Sequence, residues 1–100
     1  MENWYLEVEG DEEFLMLRGP TCTLGYGEMC DLRLQKDSVS TQHAKFTRCK
    51  DGHWWVEDLA STNGTWVEDI EVKMPLALSP DMQLMFGDAS VRVRLKKEKA

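Results

Sequence analysis

No stretch of this 100-residue chain carries apolar residues at helical spacing, and no apolar run approaches the ~20 residues a spanning helix needs. Amphipathic helices and membrane-crossing helices are therefore not expected. Positive charge is scarce: 12 Lys and Arg face 18 Asp and Glu, a formal net charge of −6 and a pI near 4.8. That balance argues against the domain lying on nucleic acid or on a membrane of anionic lipid. It also mildly disfavours an acidic partner, although salt screens distant charges over roughly 8 Å. The three cysteines, Cys22, Cys30 and Cys49, are odd in number and match no zinc or redox spacing. The start is acidic rather than basic and apolar, unlike a signal peptide. An intracellular protein with reduced thiols is the expectation, with no metal and no cofactor.

What the chain has in quantity is short alternating runs broken by turn residues. Trp4, Leu6 and Val8 alternate with Tyr5 and Glu7, the period of a half-buried strand. Gly10-Asp11 turns that strand toward Phe14–Leu17, and Gly19-Pro20 ends it. Further runs follow at Cys22–Leu24, Asp31–Leu34, Ala44–Cys49, Trp54–Asp58, Thr65–Val67, Met82–Phe86 and Val91–Leu95. Asp51-Gly52 reads as a hairpin turn, and Gly87–Ser90 as the connection of the last hairpin. Pro75 inside Met74–Leu78 suits an edge strand or a bend. Two glycines around Tyr26 predict a loop with unusual dihedrals. Many short strands at close spacing mean an all-β sandwich or barrel, here one domain over residues 1–96 with residues 97–100 starting a linker.

The stretch Asp58-Leu59-Ala60-Ser61-Thr62-Asn63-Gly64-Thr65 carries the strongest turn dipeptide, Asn63-Gly64, between two β-rich runs. That pair predicts a tight turn reversing one strand into the next. Ahead of it stands Ser40-Thr41-Gln42-His43, ahead of that Gly25-Tyr26, and behind it Leu84-Met85-Phe86-Gly87. In that order, from about Trp4 to Leu95, the chain resembles the forkhead-associated (FHA) domain. Its pattern is Gly-Arg, Ser-x-x-His, an acidic residue, Ser-x-Asn-Gly and a closing aliphatic-Gly pair. The resemblance implies a β-sandwich of about eleven strands in two sheets, with functional loops at one end. It also implies a non-catalytic module that binds protein, including phosphothreonine peptide. The chain is similar within that family to the N-terminal FHA domains of DNA-damage checkpoint mediators and their insect Mutator relative. That likeness implies a nuclear location, chromatin-linked work and association as a homodimer.

Carried over residue by residue, Ser40 matches the phosphate-binding hydroxyl, and Thr62 and Asn63 match positions that touch the peptide. His43, Ser61, Gly64 and Gly25 match loop-bracing positions. Tyr26 stands where the family has Arg, and Thr41 where a cation or amide is common. Tyr26 offers one neutral hydrogen bond where Arg offers a charged fork, about 1 kcal/mol against 1.5–3 for a charge-assisted bond. The expectation is a degenerate pocket with little phosphothreonine affinity, unless Lys36 or Lys45 swings in. The module would then act through phosphate-independent association, with Trp4, Trp55 and Met82 as candidate dimer surface. The alternative is a phosphothreonine reader using Ser40, Thr62 and Asn63 with a substitute cation. Ser40, His43 and Asp58 also supply the residue types of a hydrolytic triad. The resemblance makes the His a brace, and no enzyme activity is expected.

Overall fold

The computed structural model describes residues 2–11 and 13–97. Its strands run β1 (Glu2–Val8), β2 (Glu13–Met16), β3 (Thr21–Gly25), β4 (Leu32–Arg33), β5 (Ala44–Arg48), β6 (Trp54–Asp58), β7 (Thr65–Val67), β8 (Ile70–Glu71), β9 (Leu76–Ala77), β10 (Gln83–Phe86) and β11 (Ala89–Lys97). They form a six-stranded sheet, β2-β1-β11-β10-β7-β8, and a five-stranded sheet, β4-β3-β5-β6-β9. Among the described residues, only β3 and β4 pair in parallel; the other pairs are antiparallel. This is the all-β sandwich of eleven strands in two sheets that the alternating runs and the motif order imply.

The period of two decides which side chains enter the core. Trp4, Leu6 and Val8 point inward from β1, Phe46 from β5, Trp54 and Val56 from β6, and Leu84 and Phe86 from β10. The rings of Phe46 and Phe86, on opposite sheets, meet edge to face at 6.3 Å. Full burial of such a side chain contributes roughly 1.5–3 kcal/mol. Trp4 is therefore corrected as a surface candidate: it is 5% exposed and packs tilted against His53 at 5.8 Å. The same alternation that puts Leu6 and Val8 inside leaves it no outward direction. Met82 is half-buried against the core, while Trp55 is 38% exposed on the outer face of β6.

Asn63-Gly64 does not make a hairpin. β6 and β7 belong to different sheets, so residues 59–64 cross from one sheet to the other. Gly64 does take a left-handed φ of 87°, but Asn63 does not. The tight hairpin turn in this region is Glu68-Asp69, with φ of 47° and 69°, pairing Val67 with Ile70 across β7 and β8. Positive φ at both central residues is the geometry that suits strand twist, here adopted without glycine. The last hairpin is also tighter than the sequence suggests. Gly87-Asp88 alone joins Phe86 to Ala89, and Ala89 and Ser90 open β11. Of the segment expected to open a linker, Lys97 closes β11 opposite Glu2, and residues 98–100 lie outside the described residues.

Candidate functional site

Three loops, residues 26–31, 34–43 and 59–64, meet at one end of the sandwich and are tied by hydrogen bonds, most with a backbone group on one side. Ser40 is the knot. Its carbonyl accepts the Tyr26 N–H at 2.9 Å, its N–H donates to His43 Nδ1 at 3.0 Å, and its Oγ accepts the Thr62 N–H at 3.0 Å. Next to it, the Thr41 carbonyl accepts the Gly27 N–H at 3.1 Å and the Cys30 thiol at 3.0 Å. A carbonyl that accepts from two sides has neighbours on both, and this explains the glycines. Neither Gly25 nor Gly27 has a left-handed φ, contrary to the dihedral expectation. A Cβ on Gly25 would instead stand 2.3 Å from the Thr41 oxygen and 2.8 Å from Cys30 Sγ. One on Gly27 would meet the Thr41 methyl at 2.7 Å. Both positions demand room, not conformational freedom.

His43 is fully buried and joins the site to the core. Because Nδ1 accepts from Ser40, the proton sits on Nε2, which donates to the Gly64 carbonyl at 2.8 Å. The ring edge packs on Phe86 at 5.5 Å. Burial holds the imidazole below its ordinary value, outweighing the Gly64 carbonyl and the Asp58 carboxylate. Asp58 organises the crossing loop. Its Oδ1 accepts the hydroxyls of Ser61 at 2.5 Å and Thr65 at 2.7 Å, and its Oδ2 accepts the Ser61 N–H at 3.0 Å. Ser61 Oγ in turn accepts the Gly64 N–H at 2.9 Å. Partial burial pushes the Asp58 pKa up, but the Ser61 and Thr65 hydrogen bonds prevail and hold it below the usual carboxylate value. Asn63 Nδ2 donates to the Ser38 carbonyl at 2.9 Å, and Ser38 Oγ accepts the Asp88 N–H at 2.8 Å. Asn63 therefore braces as well as faces outward.

Ser40, His43 and Asp58 do not assemble as a hydrolytic triad. Both His43 nitrogens are committed to backbone groups, and the Asp58 Oδ1 lies 4.0 Å from Nε2, engaged with hydroxyls. What the loops do form is an open depression lined by Tyr26, Asp37, Ser40, Thr41, Gln42 and Thr62, with Ala60 and Val39 completing it. Tyr26, 44% exposed, stands in it with its neutral hydroxyl. Ala60 holds a left-handed φ of 55°, a strained conformation for a residue with a Cβ. Asp37, Val39, Gln42 and Ala60 of this lining, and Cys30 beside Thr41, are what sequence reasoning passes over. Asp37 lies in a polar turn with nothing to mark it, and Cys30 shows its use only once Thr41 is beside it. Of the two lysines that could replace the missing guanidinium, Lys36 is ion-paired with Asp11. Lys45 lines a different hollow on the outer sheet face, beside Thr47, Trp55 and Pro75.

The FHA domain pattern matches residues 22–87, which hold all three loops. The FHA domain-containing protein FhaB of Mycobacterium tuberculosis (strain H37Rv) is 30% identical over 71 residues, 71% of this chain. The match spans 45% of that protein's length. A solved chain from a study of phosphothreonine-dependent FHA domain interactions superposes with a TM-score of 0.87 at 25% identity, covering 96% of this chain and 99% of its own. The FHA domain of the CT664 protein from Chlamydia trachomatis gives 0.85 at 25% identity, covering 98% of this chain and 99% of that one.

Proposed function

This chain belongs to the FHA family, and from that premise we propose that it is a protein-interaction module receiving a threonine-phosphorylated segment on its loop end. Ser40 carries the reading. Its oxygen already accepts the Thr62 N–H, so the hydroxyl proton is free to be donated into the depression. Tyr26, Thr41, Thr62 and Gln42 add neutral donors around it. The loops are preset by their own hydrogen bonds, so little ordering cost falls on binding. Phosphate held by neutral donors alone is held weakly. Losing a charged fork corresponds to on the order of tenfold to a hundredfold in affinity. Calorimetric titration of phosphothreonine peptides and their unphosphorylated counterparts tests this. Phosphorylated peptides should bind the more tightly, Ser40→Ala should lower that affinity about tenfold, and Tyr26→Arg should raise it by a similar factor. A phosphopeptide library with no saturable binder would overturn the reading.

Tyr26 itself favours a second reading, in which the module associates without phosphate, as a homodimer or scaffold. Phe14 and Trp55, large and exposed on outer sheet faces, are surface such contact would use. The nuclear, DNA-damage setting belongs to this reading and rests on the motif resemblance. Its dimer should be seen by light scattering at micromolar concentration and should survive phosphatase treatment; a monomer throughout counts against it. Localisation of a tagged chain tests the nuclear placement.

A further inference from the structure

The loops that frame the depression are acidic. Residues 26–31, 34–43 and 59–64 contain Glu28, Asp31 and Asp37 against a single Lys36, with Arg33 exposed on β4 between the first two loops. Lys36 is ion-paired with Asp11. Asp37 is the one ionisable carboxylate on the wall of the depression, and it makes no ion pair among the described residues. It sits in the turn closed by the Val39 N–H to the Lys36 carbonyl at 3.0 Å, which holds it on the rim. The same depression presents the exposed ring of Tyr26. A carboxylate and an aromatic ring sharing one hollow form a receptor for a cation, not for a dianion alone. A bare phosphate entering there meets repulsion from Asp37 and from a domain of net charge −6.

We infer that the cation missing from this pocket is brought by the ligand: the segment it selects carries a lysine or arginine beside the phosphothreonine. That basic side chain lies against Asp37 and the Tyr26 ring while the phosphate takes the Ser40 hydroxyl. This deepens the phosphopeptide reading and depends on it. The basic side chain offsets about one of the phosphate's negative charges, so the acidic domain repels the segment less. The site would discriminate against acidic flanks, which place like charge over Asp37.

Four peptides with one core sequence, phosphorylated or not and flanked by lysine or by glutamate, are titrated into the protein. The phosphorylated, lysine-flanked peptide should bind tightest, about tenfold better than its glutamate-flanked counterpart at low salt, with the gap shrinking as salt rises. Asp37→Asn, a change on an exposed turn, should narrow that gap to about twofold. Asp51→Asn, at the opposite end of the β5–β6 hairpin, removes the same charge and should leave the gap intact. Equal affinity for both flanks overturns the inference while leaving the phosphopeptide reading standing, and so does a gap that Asp37→Asn leaves unmoved. Binding by none of the four overturns the phosphopeptide reading itself, and the inference falls with it.

Discussion

At the scale of the residue, the site is made of side chains used as braces. Gly25 is required for room, so Gly25→Ala should destabilise by about 1–3 kcal/mol, read from the urea midpoint, as the loop is forced away from Thr41. An unchanged midpoint would mean the loops part more easily than their hydrogen bonds suggest. His43 sets a pH dependence. Its folded pKa lies below the ordinary 6.5, so on acidification the unfolded chain takes up this proton before the native state does. Stability should therefore fall as pH drops below about 6.5, and His43→Gln should flatten that slope. Asp58 acts lower: its contribution is present above the ordinary carboxylate pKa of 3.8 and is lost as pH falls through its depressed folded value. The sequence pattern already gathers Ser40, His43, Ser61 and Asn63 at one end, because the motif order names them. It says nothing of Asp37 or Cys30. Their roles depend on which neighbour a turn delivers, and no short-range pattern encodes that.

At the scale of the element, strands with a period of two are legible and turns are less so. Trp4–Val8 and Trp54–Asp58 show their inner and outer faces in the sequence because burial alternates along them. β8 is not legible: Ile70 and Glu71 are both exposed and too few to show a period. The Asn63-Gly64 signal misleads because Asp58 and Ser61 take up the loop's N–H groups, and the chain crosses between sheets instead of returning. The hairpin that does turn there uses Glu68-Asp69, whose side chains resist positive φ. Asp69→Gly should therefore stabilise by about 0.5–1 kcal/mol, raising Tm by a few degrees. Glu68 is left alone, because its carboxylate accepts the Gln83 N–H at 3.2 Å. A lower Tm would show that the glycine's added freedom when unfolded outweighs the relieved strain.

At the scale of the whole molecule, composition and alternation give an all-β sandwich or barrel, with no helical run to compete, and the motif resemblance selects the two-sheet sandwich that the strand order shows. The site's electrostatic character follows from what surrounds it and becomes visible only when the loops are assembled. One pairing has a further result. β1 and β11 run side by side along their length, from Val8 opposite Val91 near the Gly87-Asp88 turn to Glu2 opposite Lys97 at the far pole. Cross-strand partners lie about 5 Å apart, so a few glycines could splice the strand ends at that pole. The chain could then be reopened at Asp51-Gly52, and such a circular permutant should fold and keep its peptide affinity. One cut within residues 59–64 should fold with that affinity lost. A tether fixed at the spliced pole would hold the domain like a lamp on a stalk, its reading end turned outward.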